Sequence, residues 1–403
     1  MNEYRICSLS EVGTIVSGAT PRTAEEDNFG GNIPWITPAD LSGYSAKYIS
    51  HGARSLTEKG YNSCATQLMP EGTVLFSSRA PIGYVAIASN PICTNQGFKS
   101  IIPNKSILSE YLYYQLKYLK KHIQDLGSGT TFKEISAKKL STVQVVVPSI
   151  SEQRRIVAQI EELFSELDAG VETLQKIKQQ LIVYQQAIIT SSFSEATGSD
   201  SVRLDEISAI TGGITKGRDL TGKDVIELPY LRVANVQNGF LDLSEMKKIQ
   251  LCRDEKDKYL LEYGDVLFTE GGDRDKLGRG TIWRNEIPEC VHQNHIFKAR
   301  IDKSKAIPEY VAYWAMSTPA RNYFYEKGKQ SVNLASINKT ILSALTLPLP
   351  DVDTQRSIVD HIQARLSNCK EIEQTVDMAL QQSAAMRQSI LKQAFEGGGG
   401  FDD

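Results

Sequence analysis

The chain has 403 residues, more than a single hydrophobic core usually organises, so two or more domains are expected. Its content of 41% hydrophobic and 23% charged residues is typical of a soluble globular protein, and no apolar run reaches the roughly 18 residues that a membrane span needs. A net charge of −3 argues against a strongly basic surface, and six cysteines without a C-x-x-C pair indicate reduced thiols. The first residues lack the order of a signal peptide, so we expect a cytoplasmic protein.

The charge is unevenly distributed along the chain. Residues 1–150 carry 14 Lys and Arg residues against 11 Asp and Glu residues, whereas residues 151–199 carry 4 against 7. Residues 200–350 carry 22 against 21, and residues 351–403 carry 5 against 9. The acidic excess therefore lies in two segments, and an anion-binding surface elsewhere must be a local cluster.

A single unit of roughly 200 residues occurs twice, and repeats of this kind organise a whole fold. The copies match in six blocks that follow the same order, which chance does not produce. From Ile156 and Ile358 to Phe193 and Phe395 their register is constant at 202 positions. The matched blocks are 8–18 with 203–213, 32–43 with 227–239, 68–87 with 260–282, 93–101 with 290–301, 109–123 with 308–324, and a polar loop, strand and proline that end each copy.

The first 148 or so residues of each copy alternate short β-branched and aromatic runs with Gly, Pro and Asn. Such runs predict strands, and the aromatic-rich stretch 111–123 predicts a helix. Regular helices are too few for a doubly wound sheet, so each copy is expected to be an α+β or mixed α/β domain. The runs that predict strands in the first copy are GTVLFSS, YVAIAS, KSIIP and VQVVVP.

Each copy then continues into a long segment with apolar residues at alternating spacings of three and four. Over about six heptads this pattern favours a coiled-coil seam, and 43 residues at ~1.5 Å each make a helix of about 65 Å. Ser151 and Asp353 are predicted N-caps. Gly170, Arg365 and Ser383 interrupt the apolar series. The seam positions are Ile156, Ile160, Leu163, Leu167, Leu174, Ile177, Leu181, Tyr184 and Ile188, and Ile358, Ile362, Cys369, Ile372, Val376, Ala379, Met386 and Ile390.

A single helix cannot bury such a seam. Because the two long segments are duplicates, the economical arrangement is that they pack on each other. If the two domains lie at opposite ends, this pairing must be antiparallel.

Several stretches of the sequence approach a catalytic or metal-binding motif without completing it. Residues 217–224 nearly spell a phosphate loop, but Asp224 stands where a hydroxyl is needed to reach Mg²⁺. Cys290, His292 and His295 lack the second ligand pair that zinc needs, so structural or DNA-facing histidines are the better interpretation. A G-x-G-x-x-G motif, an amino-methyltransferase motif and a nuclease pattern are all missing. We therefore expect no catalysis and no metal in this chain.

The junctions between domain and helix, at 148–157 and 350–359, share the pattern strand–Pro–x–x–(Ser/Asp)–x–Gln–Arg–x–Ile–Val. With the run SSRAPIGYVAIA at 77–88, the loop GSGTTFKEIS at 127–136 and the helix ends QQAIITSSF and QSILKQAFEG, the chain resembles the specificity subunit of type I restriction-modification enzymes over essentially its whole length. One departure is the tail GGGGFDD at 397–403, where the family often has a short basic or apolar tail.

The resemblance implies an α+β fold with two target-recognition domains and two long helices, packed as an antiparallel coiled coil with a pseudo-twofold axis. The expected boundaries are 1–148 and 198–350 for the domains, 149–197 and 351–396 for the helices, and 397–403 for a flexible tail. Each domain would read one half of a bipartite, asymmetric site in double-stranded DNA.

The resemblance also implies partners. The helices would set the spacing of the half-sites and dock two methyltransferase subunits, and restriction (translocase) subunits would complete the complex in a prokaryotic cytoplasm. S-adenosylmethionine, ATP and Mg²⁺ would bind those partners, and no cofactor would bind this chain. The alternatives are an adaptor that recognises protein and, less favoured, a self-contained restriction enzyme.

Arg and Lys read guanine, Asn and Gln read adenine, and Lys, Arg, Ser and Thr bind phosphates. Polar loops rich in these residues are therefore the candidate DNA contacts, although many such residues serve only as caps or turn residues. Trp35 and Tyr84 are better explained by core packing than by stacking on bases. The candidates are Arg22, Thr37, Ser78, Arg79, Asn95, Gln96, Ser128, Thr130, Thr131 and Lys133 in the first copy, with Thr20, and Lys216, Arg218, Arg232, Asn235, Asp273, Arg274, Lys276, Arg279, Gln293, Asn294, His295, Lys329, Gln330 and Asn333 in the second, with Thr215 and Ser331.

Overall fold

The computed structural model describes residues 4–129, 133–196, 198–272, 277–330 and 335–396, and of Gln330 the backbone alone. The chain forms two compact units. The first unit consists of Met1–Leu174 with Met378–Asp403, and the second unit consists of Gln175–Asp377. Within the described ranges, no helix is both long enough and apolar enough to cross a membrane.

In the described part of the first repeat, ten strands and five short α-helices precede a long helix. The strands form a five-stranded sheet, a three-stranded sheet and a two-stranded pair. The strands are β1 (Arg5–Ser8), β2 (Gly13–Ser17), β3 (Phe29–Ile36), β4 (Tyr48–Ile49), β5 (Arg54–Leu56), β6 (Val74–Phe76), β7 (Val85–Ala88), β8 (Cys93–Thr94), β9 (Lys99–Pro103) and β10 (Gln144–Val147), and the helices are α1 (Leu9–Val12), α2 (Glu58–Asn62), α3 (Ser109–Tyr118), α4 (Lys120–Leu126), α5 (Ala137–Ser141) and the long α6 (Ile150–Ser192).

The second repeat follows the same plan. Its elements are β11 (Ser201–Arg203), β12 (Ser208–Gly212), β13 (Val225–Leu231), β14 (Lys247–Cys252), α7 (Lys256–Tyr259), β15 (Val266–Thr269), β16 (Gly271–Gly272), β17 (Gly280–Ile282), β18 (Val291–His292), β19 (Ile296–Ile301), α8 (Pro308–Met316), α9 (Thr318–Lys327), β20 (Lys329–Gln330), β21 (Ala335–Ser336), α10 (Lys339–Ser343), β22 (Thr346–Pro348) and the long α11 (Val352–Glu396).

The strand orders of the two repeats correspond. The order β12-β19-β15-β17 repeats β2-β9-β6-β7, the order β14-β13-β18 repeats β5-β3-β8, and the pair β11-β22 repeats β1-β10. The duplicated α/β domain and the four strand predictions are therefore confirmed. The helix predicted over 111–123 is wrong in one respect, since α3 ends at Tyr118 and α4 begins at Lys120.

The core of the first unit contains the beginning of α6 and the end of α11. Ile156 and Ile160 of α6 are buried with Ile390 and Phe395 of α11 in the cluster that holds the strands and α3. The ring of Phe395 lies 5.4 Å from the ring of Tyr111, edge to face. The domain core of this unit therefore requires helical segments from both repeats.

The second unit is built in the same way. Ile189 of α6 and Phe193, which directly follows α6, are buried together with Ile358 and Ile362 at the beginning of α11. The ring of Phe193 lies 5.2 Å from the ring of Tyr310 and 5.1 Å from that of Trp314 in α8. Thus the helix end IITSSF at 188–193 closes the domain core of the second repeat.

Within each unit the segments of α6 and α11 are antiparallel, as predicted. In the first unit, Arg387 forms an ion pair with Asp168 and its guanidinium lies 5.0 Å above the ring of Phe164, while residues nearer the end of α11 pack against the beginning of α6. In the second unit, Lys178 Nζ lies 2.7 Å from Asp377 Oδ1, and Ile188 packs against Cys369. Residue numbers along α11 fall as those along α6 rise.

The predicted seam holds for most of its positions and is wrong for three. Tyr184, Ile372 and Met386 are 52%, 45% and 52% exposed. A straight α-helix drifts by about 20° per heptad from a strict 3.5-residue repeat, so the buried face passes to Leu366 and Arg387. Predicted residues that are buried are Ile156, Ile160, Leu181, Ile188, Ile358, Ile362, Cys369, Val376 and Ile390, and those that are half-buried are Leu163, Leu167, Leu174, Ile177 and Ala379.

Both predicted N-caps lie two residues too far along the chain. The carbonyl of Ser149 accepts from Gln153 N, and Ser149 Oγ accepts from Glu152 N at 3.3 Å. In α11, Asp351 Oδ1 accepts from Thr354 N at 2.9 Å. Ser149 and Asp351 directly follow the prolines that end the preceding strands, so helix geometry begins earlier than the apolar pattern indicates.

Each junction contains a fully buried glutamine, Gln153 or Gln355. Its side chain links the beginning of the long helix to the loop that precedes α3 in the first repeat or α8 in the second. Gln153 Nε2 donates to Pro148 O at 2.9 Å and to Ser106 O at 2.8 Å, and its Oε1 accepts from Leu108 N at 2.8 Å. Gln355 makes the equivalent bonds with Pro350 O, Lys305 O and Ile307 N. The duplicated Gln-Arg sequence therefore reflects a buried amide contact that both units use.

Replacing this glutamine should destabilise the first unit. Gln153→Met keeps the side-chain length but leaves the Leu108 N–H and two carbonyls unsatisfied, which we expect to lower the free energy of unfolding by about 2–4 kcal/mol. Hydrogen–deuterium exchange should show faster exchange of the Leu108 amide, and thermal melting should show a lower midpoint. Arg154→Ala, at an exposed neighbour, is the matched control and should change stability by less than about 0.5 kcal/mol. Unchanged protection of Leu108 in the Met variant would contradict the role of Gln153.

Candidate nucleic-acid interface

In the first unit, a stapled hairpin loop presents Arg79. Ser77 Oγ donates to Pro81 O and accepts from Tyr84 N, both at 2.7 Å, and Gly83 N donates to Ser77 O at 3.0 Å. These bonds close the loop between β6 and β7 from within. Arg79 and Ala80 lie at its tip.

Three further loops meet at this tip. Glu134 forms isolated β-bridges with Arg79 and with Ser128, which places the described ends of this polar loop, at Ser128 and Glu134, beside the hairpin. Ser78 N donates to Gly97 O at 2.7 Å, which adds the loop 95–97. A cleft of about 430 Å³ runs between them, lined by Thr37, Pro38, Ala39, Ser42, Arg79, Ala80, Tyr84, Asn95 and Gly97. Four candidate groups that are far apart in sequence thus lie together.

At this cleft, Glu134 forms ion pairs with both Arg79 and Lys99. Arg79 Nη1 lies 3.5 Å from Glu134 Oε2, and Lys99 Nζ lies 3.9 Å from Glu134 Oε1. Only 12% of the Lys99 side chain is exposed, and burial lowers the pKa of its ammonium. Neither Lys99 nor Glu134 was among the candidates. A signal was present for the lysine, because Phe98-Lys99 recurs as Phe297-Lys298.

In the first unit, the structure contradicts one predicted DNA contact and shows that two others stabilise their own loops. Ser78 is buried, and its Oγ donates to Gly97 O at 3.1 Å, so its side chain does not face a ligand. Thr37 caps a turn by donating from Oγ1 to Asp40 Oδ2 at 2.7 Å, and Asn95 Oδ1 accepts from Gly97 N at 2.9 Å. These two side chains shape the cleft wall while remaining half-buried.

The remaining candidates of the first repeat lie nearer the surface. Gln96 is exposed and bonded to Thr20, and Arg22 is exposed beside Glu25. Ser128 and Lys133 are exposed on either side of Thr130, Thr131 and Phe132, which lie outside the described residues. Trp35 is buried, and its Nε1 donates to Ala19 O at 3.1 Å. Tyr84, in contrast, is half-buried and lines the cleft.

In the second unit, the corresponding loops also converge. Glu270 N donates to His295 O at 2.9 Å, and His295 Nδ1 lies 2.5 Å from Glu270 Oε2. In the sheet β16-β21-β20, Ser336 pairs with Gly271 on one side and with Lys329 on the other, so Lys329 lies two strands from Gly271. Asn294 N donates to Ile214 O at 3.0 Å, which adds the loop before Lys216.

The side chains of Arg279 and Arg218 are bonded to other side chains of the second unit. Arg279 Nη1 donates to Gln237 Oε1 at 3.2 Å, and Arg218 Nη1 lies 2.9 Å from Glu255 Oε1. Gln293 and Asn294 are half-buried, and Lys216 and Lys329 are exposed. The candidates Asp273, Arg274, Lys276, Ser331 and Asn333, and the side chain of Gln330, lie outside the described residues.

Asn235 and Arg232 hold the fold of their own loop. Asn235 is buried, its Oδ1 accepts from Arg232 N at 2.8 Å, and its Nδ2 donates to Asp242 O at 2.8 Å and to Glu245 O at 3.1 Å. Arg232 Nη2 donates to Glu245 O at 2.9 Å. Asn235 as a DNA contact is therefore wrong, because its amide is used entirely within the protein.

The histidines considered for zinc are separated by their surroundings. His292 is fully buried, and burial together with the charge of Lys298 lowers the pKa of its imidazole to about 3, so the ring is neutral. Burial raises the pKa of the Cys290 thiol to about 12, while His295 is exposed. Over the ranges that the structure describes, His, Cys, Asp and Glu form no group of three able to hold a metal.

Comparisons with known proteins agree on one family. The model of the type I restriction modification DNA specificity domain matches residues 1–181 and again residues 197–382. The chain is 32% identical over 298 residues to the MjaIX specificity subunit of Methanocaldococcus jannaschii, covering 70% of this chain and 69% of that protein. It is 25% identical to the StySPI specificity subunit of Salmonella potsdam, covering 96% and 88% of the two chains.

Solved structures share the fold. The crystal structure of the HsdS subunit from Thermoanaerobacter tengcongensis superposes with a TM-score of 0.58 at 18% identity, covering 98% of this chain and 97% of that one. A chain from a structural study of the assembly and conformational transition of the type I R-M system gives a TM-score of 0.68 at 18% identity, with 98% of both chains covered.

Asn235 and Asn294 provide a test of the structural assignments in the second unit. Asn235→Ala removes three buried hydrogen bonds and should lower the free energy of unfolding by about 2–4 kcal/mol. Asn294→Ala, at a half-buried amide whose side chain contacts only His295 at 3.4 Å within the described part, should cost less than about 1 kcal/mol. Urea denaturation followed by tryptophan fluorescence, to which Trp283 and Trp314 contribute in this unit, measures both. Equal midpoints for the two variants would contradict the assignment.

Proposed function

Because the chain belongs to the type I restriction-modification DNA specificity family, whose members are the non-catalytic components that recognise DNA sequence, we propose that each of its two units reads one half of a bipartite, asymmetric site in double-stranded DNA. The observation that carries this proposal is the convergence of polar loops, which occurs once in each unit and on corresponding elements. A DNA site in two parts requires two recognition domains, and this chain carries two.

The two half-sites should differ in sequence because the two loop clusters present different side chains. The hairpin of the first unit carries Arg79 at its tip and is stapled by Ser77. The corresponding segment of the second unit is longer, and it carries Glu270, bonded to His295, and Arg279, bonded to Gln237. Since base edges are read by the donors and acceptors that side chains offer, unlike clusters favour unlike bases.

Several basic side chains at the two clusters already have acidic partners in the described part of the protein. Arg79 and Lys99 share Glu134, and Arg218 faces Glu255. Such pairing keeps the local potential low, in line with the net charge of −3. We infer that non-specific attraction to DNA is weak for this chain alone, and that methyltransferase subunits contribute much of the positive charge that neutralises phosphates.

The long helices are the proposed docking surface for two methyltransferase subunits and also the element that sets the distance between half-sites. They expose large apolar side chains: Ile182 and Val183 in the second unit are 67% and 70% exposed, and Met386 in the first unit is 52% exposed. Exposed apolar clusters of this kind mark protein contacts. Restriction (translocase) subunits would complete the complex in the cytoplasm of a prokaryote.

S-adenosylmethionine, ATP and Mg²⁺ belong to those partner subunits in this proposal. The segment 217–224, which approaches a phosphate loop in sequence, leads into strand β13 rather than a helix, and Asp224 is paired with Arg253. A phosphate loop uses the N-terminus of a following helix to bind its ligand. The chain would thus choose the site and leave the chemistry to its partners.

The proposal predicts partner-supported, sequence-dependent binding. The chain co-purified with a cognate methyltransferase should select a bipartite motif from a pool of randomised duplexes, with affinity that falls steeply as salt is raised. Arg79→Gln should relax one base position in one half of the motif, at a cost of about 1–3 kcal/mol there. Arg279→Gln should affect the other half alone.

Arg154→Gln, a change of equal charge at an exposed residue of α6, is the control and should leave both halves intact. Selection of no motif by the wild-type complex would refute the proposal in favour of an adaptor that binds protein. Relaxation of both halves by Arg79→Gln would refute the assignment of one half to each unit.

A further inference from the structure

A second, smaller hollow lies next to the cleft in the first unit. Its volume is about 180 Å³, and it is lined by Tyr44, Tyr84, Tyr113, Lys117, Lys120 and Gln388 among others. Lys117, Lys120 and Gln388 were not among the DNA contacts predicted from the sequence. Tyr84 lines both the hollow and the cleft that holds Arg79. The hollow therefore lies next to the candidate reading surface.

The hollow contains two half-buried cations without a compensating anion. Lys117 Nζ lies 3.1 Å from Tyr113 Oη. Among the residues that the structure describes, no carboxylate oxygen lies within 4.0 Å of the ammonium group of Lys117 or Lys120. This distinguishes them from Arg79 and Lys99, which share Glu134. Partly desolvated cations are stabilised by an opposite charge, so this hollow is suited to an anion.

Lys120 is placed by its packing against Gly83. A Cβ atom at position 83 would come within 2.6 Å of Lys120 Cγ and 3.1 Å of its Cδ and Cε. Gly83 also has a φ of +100°, a conformation that disfavours any other residue. The glycine therefore admits the aliphatic stem of Lys120, and Lys120 and Lys117 line the same hollow.

We propose that this hollow binds a backbone phosphate of the DNA, adjacent to the half-site that the first unit reads. The inference rests on the proposed function. Two ammonium groups, the hydroxyl of Tyr113 and the amide of Gln388 are the kinds of donor that bind phosphate oxygens. The small volume suits a compact anion, and the position of the hollow next to the cleft, with Tyr84 lining both, favours the DNA backbone over an acidic segment of a partner protein.

The second repeat lacks this feature. Matching Tyr111 with Tyr310 places Met316 where the first repeat has Lys117, and Pro319 where it has Lys120. There Met316 lines an apolar groove together with Gly239, Phe240, Ile182 and Val183. The phosphate contact is thus a property of the first unit, and the duplication provides an internal comparison.

The test uses the complex of the full chain with its methyltransferase and measures duplex binding by fluorescence anisotropy over a range of salt concentrations. Lys117→Gln with Lys120→Gln should weaken cognate and non-cognate duplexes by the same factor. The slope of log K against log salt should become shallower by about 1–2. The selected motif should stay unchanged, because phosphate contacts position the DNA without reading bases. The Arg variant at both positions should restore the wild-type slope.

Lys121→Gln is the matched control, since it removes an equal charge from the exposed residue next to Lys120 on α4 and should leave the slope within error of the wild type. An unchanged slope in the double variant would overturn the inference. So would an unchanged slope with weaker retention of the methyltransferase on size-exclusion chromatography, which would assign the hollow to a partner protein. Failure of the proposed function is recognised separately, because then the wild-type complex itself would show no sequence-dependent binding.

Discussion

Each unit depends on an aromatic side chain that the other repeat supplies. Phe395, at the end of α11, packs on Tyr111 of the first repeat, and Phe193, which directly follows α6, packs on Tyr310 and Trp314 of the second. Fully burying a side chain of this kind is worth about 1.5–3 kcal/mol. Because each helix closes a core beyond its own repeat, the antiparallel pairing of α6 and α11 is part of the folding of both domains.

Because the long helices close both domain cores, they carry some side chains that are buried and others that are exposed. The buried ones, such as Ile160 and Ile362, contact a domain core, whereas exposed ones such as Val183 remain available to partners. Ion pairs between the helices (Asp168 with Arg387, and Lys178 with Asp377) lie in the first and second unit respectively. A shift of one heptad would separate opposite charges, and at Lys178 it would bring Lys370 into the place of Asp377. The pairs therefore favour one register, which is what a helix that sets a spacing needs.

Much of this organisation follows from sequence patterns that are local or repeated. The duplication, the strands and the long helices are all visible in spacing and order, whereas the antiparallel pairing of the helices was inferred from the duplication. The exact buried face of a helix cannot be read from the spacing. The drift of about 20° per heptad leaves Met386 exposed and Arg387 half-buried. The N-caps were also misplaced, since the apolar pattern begins later than the backbone geometry at Ser149 and Asp351.

The site was predictable by location but not residue by residue. The polar loops around Arg79, Asn95 and Ser128 do meet. Residue type alone could not separate a base-reading amide from a structural one, so Asn235, with its three hydrogen bonds, was misjudged. Glu134 and Lys120 were missed for the opposite reason: their roles arise from the tertiary contacts with Arg79 and Gly83, which no spacing in the chain records.

The central claim is that one chain carries two readers for two unlike half-sites. It is tested most directly by expressing the wild-type chain with its methyltransferase in a host without other adenine methylation and mapping modified adenines by long-read sequencing. The account predicts one asymmetric motif of two short specified parts, separated by a gap of constant length and unspecified sequence. A continuous motif, a palindromic motif or no new methylation would contradict it.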